Sequence, residues 1–172
     1  MDPLVELAQR AVEAAARTRR RLDAIPEDLA PLVGSGPRAC FVSLHDAGGQ
    51  LRGCIGTLEP AAASLGLEIL RNGYAAALQD QRFAPLAVAE LAGLQVKVDV
   101  LSPMEPIAGP EALDPRRYGV VVATGDGRRG VLLPDLEGVD RVDQQLAIAR
   151  RKAGIGAGED VRLARFTVER HS

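Results

Sequence analysis

Apolar residues recur at helical intervals near the start of the chain, at Leu4, Leu7, Ala8, Ala11, Ala14, Ala15 and Leu22. Glu6, Gln9, Arg10, Glu13 and Arg17 fall largely outside that stripe, so residues 4–22 predict an amphipathic helix. Pro26, Pro31, Gly34, Gly36 and Pro37 then break the period into an irregular connection. The apolar runs next shorten to strand length. RACFVSLH (38–45) and QLRGCIGTL (50–58), separated by DAGG, predict a β-hairpin. Glu59-Pro60 stops the second strand, and residues 61–79 carry Leu65, Ile69, Leu70, Ala76 and Ala77 at helical spacing, predicting a second helix packed on the hairpin.

Phe83, Pro85 and Leu86 mark a turn, and residues 91–93 end a short helix or turn. In LQVKVDVLS (94–102) the apolar positions alternate with Gln95, Lys97 and Asp99, which predicts a strand with one face toward water. Residues 102–115 are proline-rich and read as a loop. YGVVVAT (118–124) and RGVLLP (129–134) flank GDGR as a second hairpin. Residues 140–153 predict a helix ended by Gly154, with Arg150, Arg151 and Lys152 at the negative end of its dipole. VRLARFTVE (161–169) closes as a strand. This order argues for an α+β fold, a mostly antiparallel sheet with packed helices, in a single domain over residues 1–172.

Composition narrows the function. The hydrophobic fraction of 47% and the charged fraction of 26% are those of a globular protein with its own core. Aromatics make up 3%, with no Trp, and the net charge is -2, so neither base stacking nor attraction to phosphate backbones or anionic membranes is expected. The start of the chain lacks the apolar stretch of a signal peptide, and no run approaches the ~18 residues of a membrane span. A cytoplasmic protein with thiol cysteines follows as the expectation. Two cysteines without a histidine cluster give no metal site, and no fingerprint for a cofactor is present.

The chemistry concentrates in LRGCIGTL (51–58). Gly53 and Gly56 oppose strand propensity, so either the strand kinks or something approaches its backbone there. Arg52 and Cys54 are two residues apart and should leave on one face, where a guanidinium would favour thiolate and make Cys54 a candidate nucleophile. The competing reading is a small core cysteine beside a bulge. For a base, His45 reads as a hairpin-end surface residue, and His171 lies at the end of the chain, where frayed segments are common. If Leu44 faces Gln50, Cys40 falls opposite Cys54; if His45 faces Gln50, the cysteines point to opposite sides. Asn72 within a helix is either a ligand group or a surface residue, Asp80 with Arg82 a surface ion pair of little energy, and Glu105 a ligand carboxylate or a solvated loop acid.

LRGCIGTLEP, preceded by CFVSLH and followed by NGYAAALQDQRFAPL, VDVLSPMEPI, GRRGVLLPD, QQLAIARRKAGI and RFTVE, resembles the AMMECR-type domain family, whose prokaryotic members are called AmmeMemoRadiSam system protein A. The resemblance runs collinearly through nearly the whole chain. It implies a larger and a smaller lobe in one compact unit, with the LRGCIG segment near the cleft between them. It also implies partners, a Memo-like protein and a radical SAM protein, in a modification system where this component would bind a small or peptide-like substrate. No defined reaction comes with it; a Cys54-dependent enzyme and a non-catalytic interaction adaptor are the alternatives. By position it singles out Arg52, Gly53, Cys54, Ile55, Gly56, Asn72, Asp80, Arg82 and Phe83. Of these, Cys54 is the catalytic candidate, and Arg52, Gly53, Gly56, Asn72, Asp80 and Arg82 are the candidates for substrate binding. The chain departs from the family pattern at Gln81, where proline is common, and in the short DLEGVDR segment.

Overall fold

The first predicted helix forms as α1, Pro3–Thr18, in a computed structural model that describes residues 1–172. Asp2 caps it, accepting from the N–H of Leu4 at 2.8 Å, and Pro3 occupies a position whose N–H would go unused. It stops short of Leu22 because Arg19 turns left-handed (φ 60°) and returns its N–H to the Ala15 carbonyl. Small residues on its buried face, among them Ala8, Ala11 and Ala15, let a second helix approach closely. That helix is α2, Leu65–Leu78, whose Gly73 faces Ala11. It begins at residue 65, later than the periodicity suggests, because Ser64 caps it and the N–H groups of Ala61 and Ala62 go to the Glu68 carboxylate.

The chain divides into two units, Met1–Leu101 with Glu169–Ser172, and Ser102–Val168. In the first, β1 (Cys40–His45), β2 (Leu51–Gly56), β3 (Gln95–Leu101) and β8 (Val168–His171) form a sheet in the order β2-β1-β3-β8. β1 runs antiparallel to both β2 and β3. The face carrying Cys40, Val42, Leu44, Val96, Val98 and Val100 forms one core with α1 and α2. The other face of β3 is less open to water than alternation suggests. Asp99 is 7% exposed, because Arg170 of β8 lies across it and donates at 2.8 Å.

The second unit holds β4 (Glu105–Ile107), β5 (Gly119–Ala123), β6 (Arg129–Leu132) and β7 (Arg162–Phe166), ordered β4-β7-β5-β6, with α3 (Val142–Lys152) over β5 and β6. Two expectations change here. The proline-rich loop contains β4, where Pro106 is tolerated because the strand lies at a sheet edge. The single closing strand is two, β7 and β8, which enter different sheets on either side of Thr167. Glu105 accordingly lies in a strand rather than a loop, and its exposed carboxylate pairs with Arg165 across the β4–β7 ladder at 2.9 Å. One mostly antiparallel sheet thus becomes two four-stranded ones within an α+β fold. No helix is long and apolar enough to cross a membrane.

Candidate functional site

β2 is an edge strand, and its pairing follows neither of the two registers considered from the sequence. His45 faces Leu51 and Leu44 faces Gly53, so Arg52 is an extra residue that bulges the strand and shifts everything after it. Ser43 then faces Cys54, and Phe41 faces Gly56. Cys40 and Cys54 lie on opposite faces of the sheet, which removes the redox pair that a facing register would have allowed. Cys40 is buried in the core, and burial pushes its thiol up to about 12. Cys54 is half-buried on the other side.

The two glycines accommodate the protein itself. A Cβ on Gly53 would overlap the carbonyl oxygen of Ala76 in α2, and one on Gly56 would overlap the Phe41 ring. The close visitor to the backbone is therefore a helix at the first and an aromatic ring at the second.

Beyond α2 the chain folds back along the edge of β2. Asp80 accepts the Cys54 N–H at 2.9 Å and holds Arg82 through two bonds of 3.0 and 2.8 Å, while Arg82 Nη2 donates to the Cys54 carbonyl at 3.3 Å. One carboxylate and one guanidinium thus satisfy the outward N–H and C=O of Cys54, the work an adjacent strand would do. Asp80 is 7% exposed, so this is no ordinary surface pair. The hydrogen bond from Arg82, opposed by desolvation and joined by the Cys54 N–H, lowers its carboxyl to about 2. Arg82 has its own pKa raised, chiefly by the hydrogen bond to Asp80.

Arg52 is directed elsewhere. Its guanidinium makes two bonds of 2.6 and 3.0 Å to Glu90 and one to the Ala84 carbonyl, and that partnership lowers the Glu90 carboxyl. The Phe83 ring lies 5.8 Å from Arg52 and 5.5 Å from Arg82, within cation–π range of both. Arg52, Cys54, Asp80, Arg82 and Phe83 thereby form one cluster, and the cation at Cys54 is Arg82. Asn72 stands apart from it. It is buried, with its Nδ2 bonded to the Cys40 carbonyl at 2.9 Å, and is not a surface residue.

Two acids escaped the sequence reading. Glu90 anchors Arg52, and Glu68, fully buried, accepts from Thr57 Oγ1 and the N–H groups of Ala61 and Ala62. The signal for Glu68 was present, an acid one position before Ile69 on the apolar face of α2. The histidines also differ from expectation. His171 is not frayed but bonded to Asp2 at 2.8 Å, and His45 has a buried Nδ1 without a partner, with desolvation lowering its pKa. No group of three His, Cys, Asp or Glu is placed to hold a metal ion.

The Asp80–Phe83 turn is closed by the Phe83 N–H to the Asp80 carbonyl at 3.1 Å, which puts exposed Gln81 at a position that favours proline. Gln81→Pro is expected to stabilise the fold by about 0.4–1 kcal/mol through the unfolded chain, raising Tm by roughly 1–4 °C in calorimetry. A fall in Tm would mean that the turn does not hold φ near −65°.

Residues 5–171 match the model of the family described as AMMECR1. A Thermotoga maritima protein is 48% identical over 171 residues, covering 98% of this chain and 97% of its own. A Clostridium acetobutylicum protein is 41% identical over 170 residues, and the chain spans 36% of that relative's length. The crystal structure of an uncharacterized protein from Pyrococcus horikoshii superposes with a TM-score of 0.87 at 31% identity, covering 98% of this chain and 89% of that one.

Proposed function

The chain belongs to the AMMECR1 family, and from that premise we propose that it is the substrate-recognition component of a modification system shared with a Memo-like and a radical SAM protein. The small or peptide-like substrate binds at the LRGCIG edge, against Arg82 and Cys54. One observation carries this reading: Arg82 is fixed by a buried carboxylate, yet its side chain remains 58% exposed beside Cys54. A guanidinium already held in place loses little freedom when it meets a ligand oxygen, which favours recognition. Arg52, Gly53, Gly56 and Asn72 serve the site from behind, shaping the edge strand and seating α2.

A second reading, Cys54 as a nucleophile, is supported by the position of the Arg82 guanidinium, whose Nη2 donates to the Cys54 carbonyl at 3.3 Å and so puts a cation beside that residue. One experiment addresses both. Iodoacetamide should modify Cys54 and spare Cys40 near neutral pH, and a mixture with the Memo-like and radical SAM proteins should co-purify and slow that modification. Arg82→Ala should weaken association about tenfold, the scale of one lost charged contact. Absence of association under every substrate condition, or association that leaves Cys54 equally reactive, would overturn the recognition reading. Loss of turnover in Cys54→Ser with partner binding intact would favour the nucleophile.

A further inference from the structure

The face of the first sheet turned away from α1 and α2 carries polar side chains of its own. Ser43 and His45 alternate with buried Leu44 along β1, so both leave on that face, and β1 keeps unbroken register against β3 through all three residues. Cys54 faces Ser43 and shares the face. Its N–H and C=O point outward to Asp80 and Arg82, which makes Ser43 and Cys54 a non-hydrogen-bonded pair, the kind whose Cα atoms approach to about 4.5 Å. His45 is then the diagonal neighbour of Cys54, about 7–8 Å away, a separation that a ring side chain spans. Ser43, the residue between them, is too short to fill that space.

The imidazole is not tied into the hairpin by its inner nitrogen. His45 Nδ1 is buried without a partner, and buried polar atoms in that state are few. Leu51 and Gln95, its cross-strand neighbours, are uncharged; the charged groups that face it are Lys97 and Asp99 of β3 and Asp46 of the turn, with Asp99 engaged by Arg170. Desolvation and then Lys97 lower the pKa of the ring against the two carboxylates, so at neutral pH it is unprotonated, the state that accepts a proton. We propose that His45 is the general base for Cys54. The Sγ proton passes to an imidazole nitrogen, a bond forms between Sγ and an electrophilic carbon of the substrate as the bond from that carbon to its leaving group breaks, and the imidazolium gives the same proton to the leaving group. This assignment rests on the nucleophile reading of Cys54 and supplies the base that the reading lacks.

Alkylation of the full chain by iodoacetamide from about pH 5 to 10, a range spanning the ordinary histidine and cysteine pKa values, tests the pair in wild type and His45→Gln. Cys54 of His45→Gln should react about tenfold more slowly at neutral pH, the loss of thiolate for a one-unit rise in thiol pKa, and should follow a single ordinary thiol titration. Buried Cys40 should stay unlabelled in both proteins, which reports that the variant is folded. A second arm leaves His45 intact: followed by NMR, its ring should titrate at lower pH in Cys54→Ser than in wild type, because a thiolate beside it favours imidazolium. Equal alkylation rates with and without His45, or ring titrations that coincide with and without Cys54, would overturn the assignment while leaving Cys54 a nucleophile. A wild-type Cys54 that iodoacetamide does not label would overturn both.

Discussion

Replacing Asp80 with alanine is expected to destabilise the protein by about 2–3 kcal/mol, because the carboxylate serves four donors and its loss leaves the Cys54 N–H on a strand edge without an acceptor. The acid side of the pH profile gives a sharper signature. A carboxyl lowered from 3.8 to about 2 contributes stability that is fully present above pH 4 and is lost as the pH falls toward 2. The gap corresponds to about 2 kcal/mol at neutral pH, reduced by the water that screens the exposed guanidinium of Arg82. Urea denaturation of wild type and Asp80→Asn between pH 7 and 2 should therefore show a difference that shrinks steadily below pH 4. A difference that stays constant with pH would show that the carboxylate charge plays no part.

Gly53→Ala should cost about 1–3 kcal/mol, the range for forcing an extra methyl into a packed interior. The sign is informative, since glycine to alanine in an unstrained strand ordinarily stabilises by limiting the unfolded chain. Here the methyl meets a helix carbonyl, which cannot move without shifting α2 and with it the Asp80 turn. Gly56→Ala meets the Phe41 ring, whose side chain can rotate away, and should cost less. Equilibrium unfolding of the two variants distinguishes them, and a neutral Gly53→Ala would place α2 farther from β2 than described.

Legibility in the sequence tracked how local each cause is. Both hairpins, α2, α3 and the Gly154 terminus follow from period and punctuation within a dozen residues. The division of residues 161–169 into β7 and β8 does not, because Leu163 and Val168 have the same strand character whichever sheet receives them. Alternation alone makes Asp99 a solvated residue, and its burial comes from Arg170, far along the chain. LRGCIG was recognisable as the segment where the chemistry gathers. The bulge at Arg52 was not, and by shifting the register it changed which residue faces Cys54 and sent the Arg52 guanidinium to Glu90. Glu90 carries no local mark of that role, since its partner is supplied by β2, far back along the chain.

The passage of the closing segment from one sheet to the other has a consequence for biosynthesis. A ribosome finishes β1, β2 and β3 first, but the strand that borders β3 is made only after all of residues 102–167. Until then the nascent first unit presents an uncovered β3 edge, with Asp99 lacking Arg170 and Asp2 lacking His171. Its sheet can be sealed only once the second unit has been made, and any event that halts synthesis after β7 leaves a polypeptide with the strands of its second unit complete and an adhesive first unit.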